Sequence, residues 1–148
     1  MFMTNLSILS RVSRTFCERK LNDTNIGFTE QSFLQFLSKS GVVNQDAIAK
    51  HFMLDKGSVA KTLSKLEEKE LITRKDNPDN KREKLITITD LGKSKSSSYI
   101  VEVQELHSFL FEGLTKEEIE QFSNTIEKIT QNAIKAIQGR MDEYGAVE

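Results

Sequence analysis

The chain has 148 residues with one Pro, one Cys and no Trp, and 37% of its residues are hydrophobic, so its length suits one domain, alone or with a small extension. The lone Cys excludes an internal disulfide and every multi-Cys metal site, and the sequence has no apolar run of about 18 residues that could cross a membrane. The net charge of −1 excludes a uniformly basic nucleic-acid binder, but the charge is uneven, since residues 44–96 have a net charge of +3 and residues 97–148 a net charge of −6.

An amphipathic helix over residues 5–21 is the first predicted element. Its apolar residues Leu9, Val12 and Phe16 recur three and four positions apart, which is the spacing of one helix face. Polar residues interrupt the apolar run and no small-residue cleavage site follows it, so this stretch is not predicted to be a secretory signal.

Three shorter helices are predicted next, each preceded by a residue whose side-chain oxygen can accept an unpaired backbone N–H. They cover residues 30–39 after Thr29, residues 45–52 after Asn44 and residues 56–69 after Asp55. Val42 and Val43 are expected to form a very short strand between the first two of these helices.

A β-hairpin follows the helices, because β-branched and polar residues alternate over residues 71–75 and 85–89. The intervening residues 76–82 form a long charged tip, and Pro78 suits the second position of a β-turn, where its fixed φ angle is favourable.

Two long helices end the chain. Thr89 or Asp90 starts a helix over residues 90–111, and Thr115 with Glu118 forms a capping box before a helix over residues 116–138. Apolar residues of the last helix follow a spacing close to that of a coiled-coil seam.

The expected fold is mainly α-helical with a small β-hairpin wing, an α+β arrangement. We expect a winged helix-turn-helix over residues 29–96, and a helical dimerisation region made by residues 1–28 and 97–148. The compact middle cannot cover the apolar faces of the long helices, so a second copy of the chain is expected to bury them. The predicted interface residues are Leu9, Val12, Ile119, Phe122, Ile126, Ile129 and Ile137.

The helix over residues 56–69 is predicted to be the recognition helix, because the second helix of a helix-turn-helix enters the major groove. Its outer face offers Lys side chains for phosphates or guanine, hydroxyls for bases, and a Gly that allows close backbone approach. These candidates are Lys56, Gly57, Ser58, Lys61, Thr62 and Lys65. An ordinary solvated helix face remains the alternative.

The hairpin carries a second group of cations, which could lie along the adjacent minor groove. They are Arg74, Lys75, Lys81, Arg82 and Lys84. Arg82 is the strongest candidate for insertion, because the negative potential of a narrow minor groove favours Arg. A charged turn without a DNA contact is the alternative.

Four motifs occur in order along the chain: Phe28-Thr-Glu-Gln-Ser-Phe, Asn44-Gln-Asp-Ala-Ile-Ala, the stretch from Asp55 to Arg74, and Asp79-Asn-Lys-Arg with the following Ile88-Thr-Asp-Leu-Gly. Their order and spacing resemble the MarR family of transcriptional regulators over about residues 28–93. The resemblance implies an obligate homodimer, one winged-helix reading head per subunit, and usually a small ligand that weakens DNA binding.

Two positions depart from the family pattern. Glu70 stands where the family commonly has Gly after the recognition helix, so the chain either turns differently or accepts a strain of about 1 kcal/mol. In the family's Asp-x-Arg wing motif, Arg82 matches the Arg, but Asn80 stands at the Asp position and Asp79 comes one residue early.

A ligand pocket is expected between the dimerisation helices and the reading head, as in the family. It is predicted to take a small aromatic or phenolic ligand, and Arg14 could receive an aromatic carboxylate. The candidate lining residues are Arg14, Cys17, Phe33, Phe36 and Tyr99. For each aromatic residue of this group, a place in the core is the alternative.

The predicted function is a homodimeric repressor, without enzymatic activity, that binds a pseudo-palindromic operator in double-stranded DNA and is relieved by a ligand. No catalytic constellation, metal-binding cluster or cofactor motif is present in the sequence. We expect a prokaryotic, cytoplasmic protein that is associated with the nucleoid when bound. Two alternatives stay open: a dimeric interaction adaptor that has lost DNA binding, and a redox-sensing regulator based on Cys17.

Overall fold

The computed structural model describes the backbone of residues 1–144 and the side chains of residues 1–137. Over these residues the elements are α1 (Phe2–Leu21), α2 (Phe28–Ser40), β1 (Val43–Asn44), α3 (Gln45–Phe52), α4 (Lys56–Glu68), β2 (Ile72–Asn77), β3 (Asn80–Ile88), α5 (Asp90–Leu110) and α6 (Lys116–Tyr144). The chain forms two compact units, Met1–His107 and a second that starts at Ser108. Within the described residues, every helix is too short or too polar to cross a membrane.

The core of the first unit lies between the helices α2, α3 and α4 and a small antiparallel sheet. The strands lie in the order β1-β3-β2, with Val43 opposite Ile86 and Ile72 opposite Ile88. Each large apolar side chain buried here contributes about 1.5–3 kcal/mol. The fully buried members of this core are Phe33, Leu34, Leu37, Ile48, Val59, Leu63, Leu66 and Ile86. This core holds α4 and the hairpin in one rigid head, the winged helix-turn-helix that the sequence predicts.

Three predicted helix starts are confirmed by their hydrogen bonds. The Asn44 Oδ1 atom accepts the Ala47 N–H at 2.9 Å, and the Asp55 Oδ1 atom accepts the Ser58 N–H at 2.9 Å. Before α6, the Thr115 N–H donates to Glu118 Oε2 at 2.8 Å and the Glu118 N–H donates to Thr115 Oγ1 at 3.2 Å.

The predicted cap at Thr29 is wrong. Helix α2 begins earlier, at Phe28, and Glu30 reaches back to accept the Gly27 N–H at 2.8 Å, which satisfies the donor before the helix. The short strand also lies one residue later than expected, at Val43–Asn44, because Val43 pairs with Ile86.

The hairpin tip is much shorter than the predicted stretch of residues 76–82. Pairing continues to Asn77 and Asn80, so only Pro78 and Asp79 lie at the turn. Two Asn side chains make this tight turn possible, since Asn77 Oδ1 accepts the Asp79 N–H at 3.0 Å and Asn80 Oδ1 accepts the Arg82 N–H at 3.2 Å.

Glu70 adopts the left-handed conformation that the family pattern reserves for Gly, with φ of 58°. Its neighbour Leu71 still donates its N–H to the Leu66 carbonyl at 2.9 Å. The chain therefore keeps the usual exit from α4 and accepts the strain, which is about 1 kcal/mol.

Gly92 lies where α5 crosses the start of the wing, and it generates the first testable prediction. A Cβ atom at this position would lie 2.2 Å from the Leu71 carbonyl oxygen and 2.8 Å from Ile88 Cγ1. Because the backbone oxygen cannot move aside, Gly92→Ala should lower the free energy of unfolding by about 3 kcal/mol in urea denaturation. The exposed Ser97→Ala on the same helix is the control and should change it by less than about 0.5 kcal/mol.

Candidate nucleic-acid interface

The helix-turn-helix is made by α3 and α4 and by the turn between them. Met53 ends α3 in a left-handed conformation with φ of 53°, and the Leu54 N–H returns to the Ala49 carbonyl at 3.0 Å. Gln45 joins the starts of the two helices, because its Nε2 atom donates to the Lys56 carbonyl at 3.0 Å. The turn and this bond set the angle at which α4 leaves the core.

Helix α4 has a buried side and an exposed polar side. Val59, Leu63 and Leu66 have no exposed surface, so the opposite side of the helix faces solvent. On that side Lys56, Gly57, Ser58, Lys61 and Lys65 are exposed, and Thr62 is half-buried. The predicted recognition residues therefore share one face.

The two hydroxyls of this face are already used as donors. Ser58 Oγ donates to Asp55 Oδ2 at 2.6 Å, and Thr62 Oγ1 donates to the Ser58 carbonyl at 3.0 Å. The hydrogen bonds from the Ser58 side chain and backbone hold the pKa of Asp55 below its usual value. Both hydroxyls thus present acceptor lone pairs outward, which suits the exocyclic amino groups of adenine or cytosine in the major groove.

The cations of the head divide into paired and unpaired groups. Lys56 lies 2.9 Å from Asp46, and Lys84 pairs with Asp76, both in exposed ion pairs that a phosphate can replace at little cost. For the remaining exposed cations among the predicted DNA contacts, no carboxylate of the described residues lies within ion-pair distance. These cations are Lys61, Lys65, Lys75, Lys81 and Arg82.

Arg74 differs from the other predicted DNA contacts. Its Nε atom donates to Glu67 Oε2 at 2.7 Å and its guanidinium also reaches Ser64 Oγ at 3.4 Å, so it binds β2 to α4 inside the head. The hydrogen bond from Arg74 lowers the pKa of Glu67, which keeps this carboxylate ionised. These bonds give Arg74 a structural role in the head, and its contact with DNA stays a prediction.

Sequence reasoning missed the side chains that join the parts of this interface. They are Gln45, Asp46, Glu67 and Glu83. Asp46 bonds a residue ten positions away and Glu83 one 39 positions away, and such partners leave no local signal in a sequence.

The structure does not bring the predicted ligand-binding residues together. Phe33 is fully buried and stacks on Phe52 in the core, which overturns its place in a pocket. The centres of the Phe36 and His51 rings lie 4.2 Å apart, and both residues line a separate cavity.

Cys17 and Tyr99 meet in another place. Burial, and then a hydrogen bond with the Cys17 thiol, raises the pKa of Tyr99 well above its usual value. Of the five predicted ligand residues, Arg14 is the one that lines an open cavity of about 450 Å³ between α1, α2 and α4.

The predicted dimer residues are mostly solvent-exposed in the single chain. In the first unit, Leu9 is 39% exposed and Val12 is 53% exposed. In the second unit, Phe122, Ile129 and Ile137 are 44%, 38% and 52% exposed, and Ile119 and Ile126 are half-buried. Both units therefore present apolar side chains that the chain alone does not cover.

Residues 29–84 match the sequence model of the MarR family. The whole chain is similar to a solved structure of MarR, with 26% identity, 93% of this chain and 94% of that chain covered, and a TM-score of 0.82. It is also similar to Staphylococcus aureus MepR in complex with DNA, with 24% identity, 89% and 98% coverage and a TM-score of 0.78. A MarR family transcriptional regulator from Listeria monocytogenes, complexed with a 26mer DNA, has 19% identity, 90% and 89% coverage and a TM-score of 0.83. These matches confirm the winged-helix fold.

The unpaired lysines of α4 generate the second prediction. If Lys61 and Lys65 contact DNA phosphates, Lys61→Ala and Lys65→Ala should each reduce the slope of log affinity against log salt concentration by about one. The slope is measured by fluorescence anisotropy with a DNA duplex. Lys95→Ala, an exposed change on α5 away from this face, should leave the slope as it is, and an equal slope in all the variants would mean that both α4 lysines face solvent only.

Proposed function

We propose that this chain, a MarR-family protein over its matched residues 29–84, is a homodimeric transcriptional repressor, and not an enzyme, that binds a pseudo-palindromic operator. The observation that carries the proposal is that α4 and the wing both carry exposed cations without a carboxylate partner among the described residues. DNA is present in the solved complexes of similar fold. We place its action in a prokaryotic cytoplasm, on chromosomal DNA.

In this proposal α4 lies in the major groove. Lys61, Lys65 and Lys75 contact phosphates, which supplies affinity but no sequence information. Ser58, Thr62 and Lys56 face base edges, and the acceptor-only hydroxyls favour adenine or cytosine at the contacted positions.

The homodimer follows from the exposed apolar side chains of α1, α5 and α6. Burial of apolar surface yields about 25 cal/mol per Å², so a second copy with the same faces is the simplest way to stabilise them. A two-fold dimer carries two recognition helices, and their half-sites would be separated by about one helical turn, ~34 Å.

Ligand relief is supported by the position of the cavity that contains Arg14. The Arg14 guanidinium lies 5.3 Å from the centre of the Phe28 ring and 2.8 Å from Glu18, and the same cavity is lined by Lys61 and Lys65. A small aromatic anion bound here would occupy the two lysines that we assign to phosphates. Such a ligand binds the DNA-free form better and would shift the equilibrium away from the operator.

The function is tested by anisotropy of the purified protein on DNA from immediately upstream of its own gene, against a shuffled duplex of the same composition. Affinity at least ~10³-fold higher for the native duplex would establish a specific regulator. Equal, weak binding to both, followed by failure to enrich any sequence from a random duplex library, would instead favour the adaptor that has lost DNA binding.

Arg82 provides the third prediction. Its side chain is exposed on the wing, so Arg82→Ala should weaken operator binding by about tenfold without a change in thermal stability. Arg19→Ala removes the same charge from α1 and serves as the control, with an affinity close to that of the parent protein. If the two variants bind the operator equally well at physiological salt, the wing does not contact the minor groove.

Ile126 provides the fourth prediction. It is half-buried on α6, in the apolar seam that we assign to the partner subunit. Ile126→Asp should give monomers or aggregates in light scattering, because an unpaired carboxylate is costly to bury. Gln131→Asp changes an exposed position of the same helix and should remain dimeric. A normal dimer for Ile126→Asp, with unchanged helicity by circular dichroism, would exclude this seam.

A further inference from the structure

Arg82, the wing residue that we assign to the minor groove, lies in a segment of β3 that is not paired with β2. Asp76 pairs with Lys84 and the next pair is Asn77 with Asn80, so the residues 81–83 have no partner across the hairpin. Such an interruption removes the ladder hydrogen bonds that otherwise fix backbone position. Apart from the bond of the Arg82 N–H to Asn80 Oδ1 at 3.2 Å, the position of Arg82 therefore depends on interactions of its neighbours.

Glu83 makes such an interaction with both of its carboxylate oxygens. Oε1 accepts from Asn44 Nδ2 at 3.0 Å, and Oε2 accepts from Asn77 Nδ2 at 2.9 Å. Asn44 is the residue that caps α3, and Asn77 lies at the start of the hairpin turn. The three side chains are half-buried, and together they connect the wing to the helix-turn-helix.

Neither amide can turn around to offer its oxygen instead. Asn44 Oδ1 is occupied by the Ala47 N–H at 2.9 Å, and Asn77 Oδ1 by the Asp79 N–H at 3.0 Å. Both amides therefore present NH₂ groups to position 83. A carboxylate, which accepts at both oxygens, satisfies the two donors, whereas the amide of Gln would set its own NH₂ against one of them.

We propose that Glu83 is a positioning residue for DNA binding, which holds Arg82 at a fixed place relative to α3 and α4. This inference rests on the proposed function, because it assigns the wing a contact with DNA. An ordered wing loses less conformational entropy when it binds, so the bond to Asn44 increases operator affinity although Glu83 does not touch DNA.

The proposal and simple electrostatics predict opposite results for Glu83→Gln. Removal of a negative charge beside the DNA should tighten binding if charge alone matters. If Glu83 positions the wing, loss of one of its two acceptor oxygens should instead weaken operator binding by about tenfold. Asp79→Asn removes the same charge from the exposed turn but leaves the hydrogen bonds from Asn44 and Asn77 to Glu83 in place. This control variant should bind the operator as tightly as the parent protein or more tightly.

A matched exchange tests the hydrogen-bond pattern itself. Asn44→Asp keeps an oxygen to cap α3 but places a second acceptor against Glu83, and should also weaken binding. Combined with Glu83→Gln, the new carboxylate can accept from the Gln NH₂ while the Gln oxygen accepts from Asn77. The double variant should recover affinity to within about threefold of the parent protein, because both hydrogen bonds are restored.

Arg82 supplies the readout that separates positioning from general stability. Glu83→Gln added to Arg82→Ala should cause little further loss, because both act through the same contact. The proposal is overturned if Glu83→Gln binds as well as Asp79→Asn, if the exchange with Asn44→Asp fails to recover affinity, or if the losses from Arg82 and Glu83 add in full. In those cases the parent protein still binds its operator, whereas failure of the proposed function itself would appear as no specific binding by the parent.

Discussion

The buried side of α4 is the constraint on which the rest of the reading head depends. Val59, Leu63 and Leu66 are completely enclosed by α2, α3 and the sheet, so α4 cannot rotate about its axis without exposing them. Their burial fixes which residues of α4 face solvent, and it contributes several kcal/mol to folding. The direction of every α4 side chain assigned to DNA follows from this one packing arrangement.

Electrostatics then distinguishes cations that hold the head together from cations that remain available. Arg74 is bonded to Glu67 inside the head, and Lys69 donates to Glu30 at 2.7 Å, where the carboxylate is almost fully buried. Lys61 and Arg82 have no such partner among the described residues. A sequence count assigns all four the same charge, although two of them stabilise tertiary structure and two face outward.

The Lys69–Glu30 pair also connects the end of α4 to the start of α2. Lys69 donates both to Glu30 at the start of α2 and to the Asn25 carbonyl, which lies in the loop after α1. A partly buried ion pair with these additional bonds is costly to break, because either partner would remain uncompensated. The end of α4 is therefore tied to the loop between α1 and α2 and to the start of α2.

Local sequence determined much of this structure. The caps at Asn44 and Asp55, the turn at Pro78 and the apolar stripe of α4 involve neighbouring residues, whose side chains and backbone interact in any compact state. The same stripe assigned Lys61 and Lys65 to the outer face, since helical spacing alone separates the two sides. Composition and motif order were enough to identify the winged helix, and the MarR-family match covers the same residues.

Only the tertiary structure decided which of the predicted site residues are free to act. Phe33 belongs to the core, where it stacks on Phe52 of α3, and Arg74 joins β2 to α4 because Glu67 of α4 lies beside it. The bond from Glu83 to Asn44 joins residues 39 positions apart, so no window of sequence could contain it. Short-range spacing specifies helices, caps and turns, but the partner of a long side chain depends on which distant element the folded chain brings within hydrogen-bond distance.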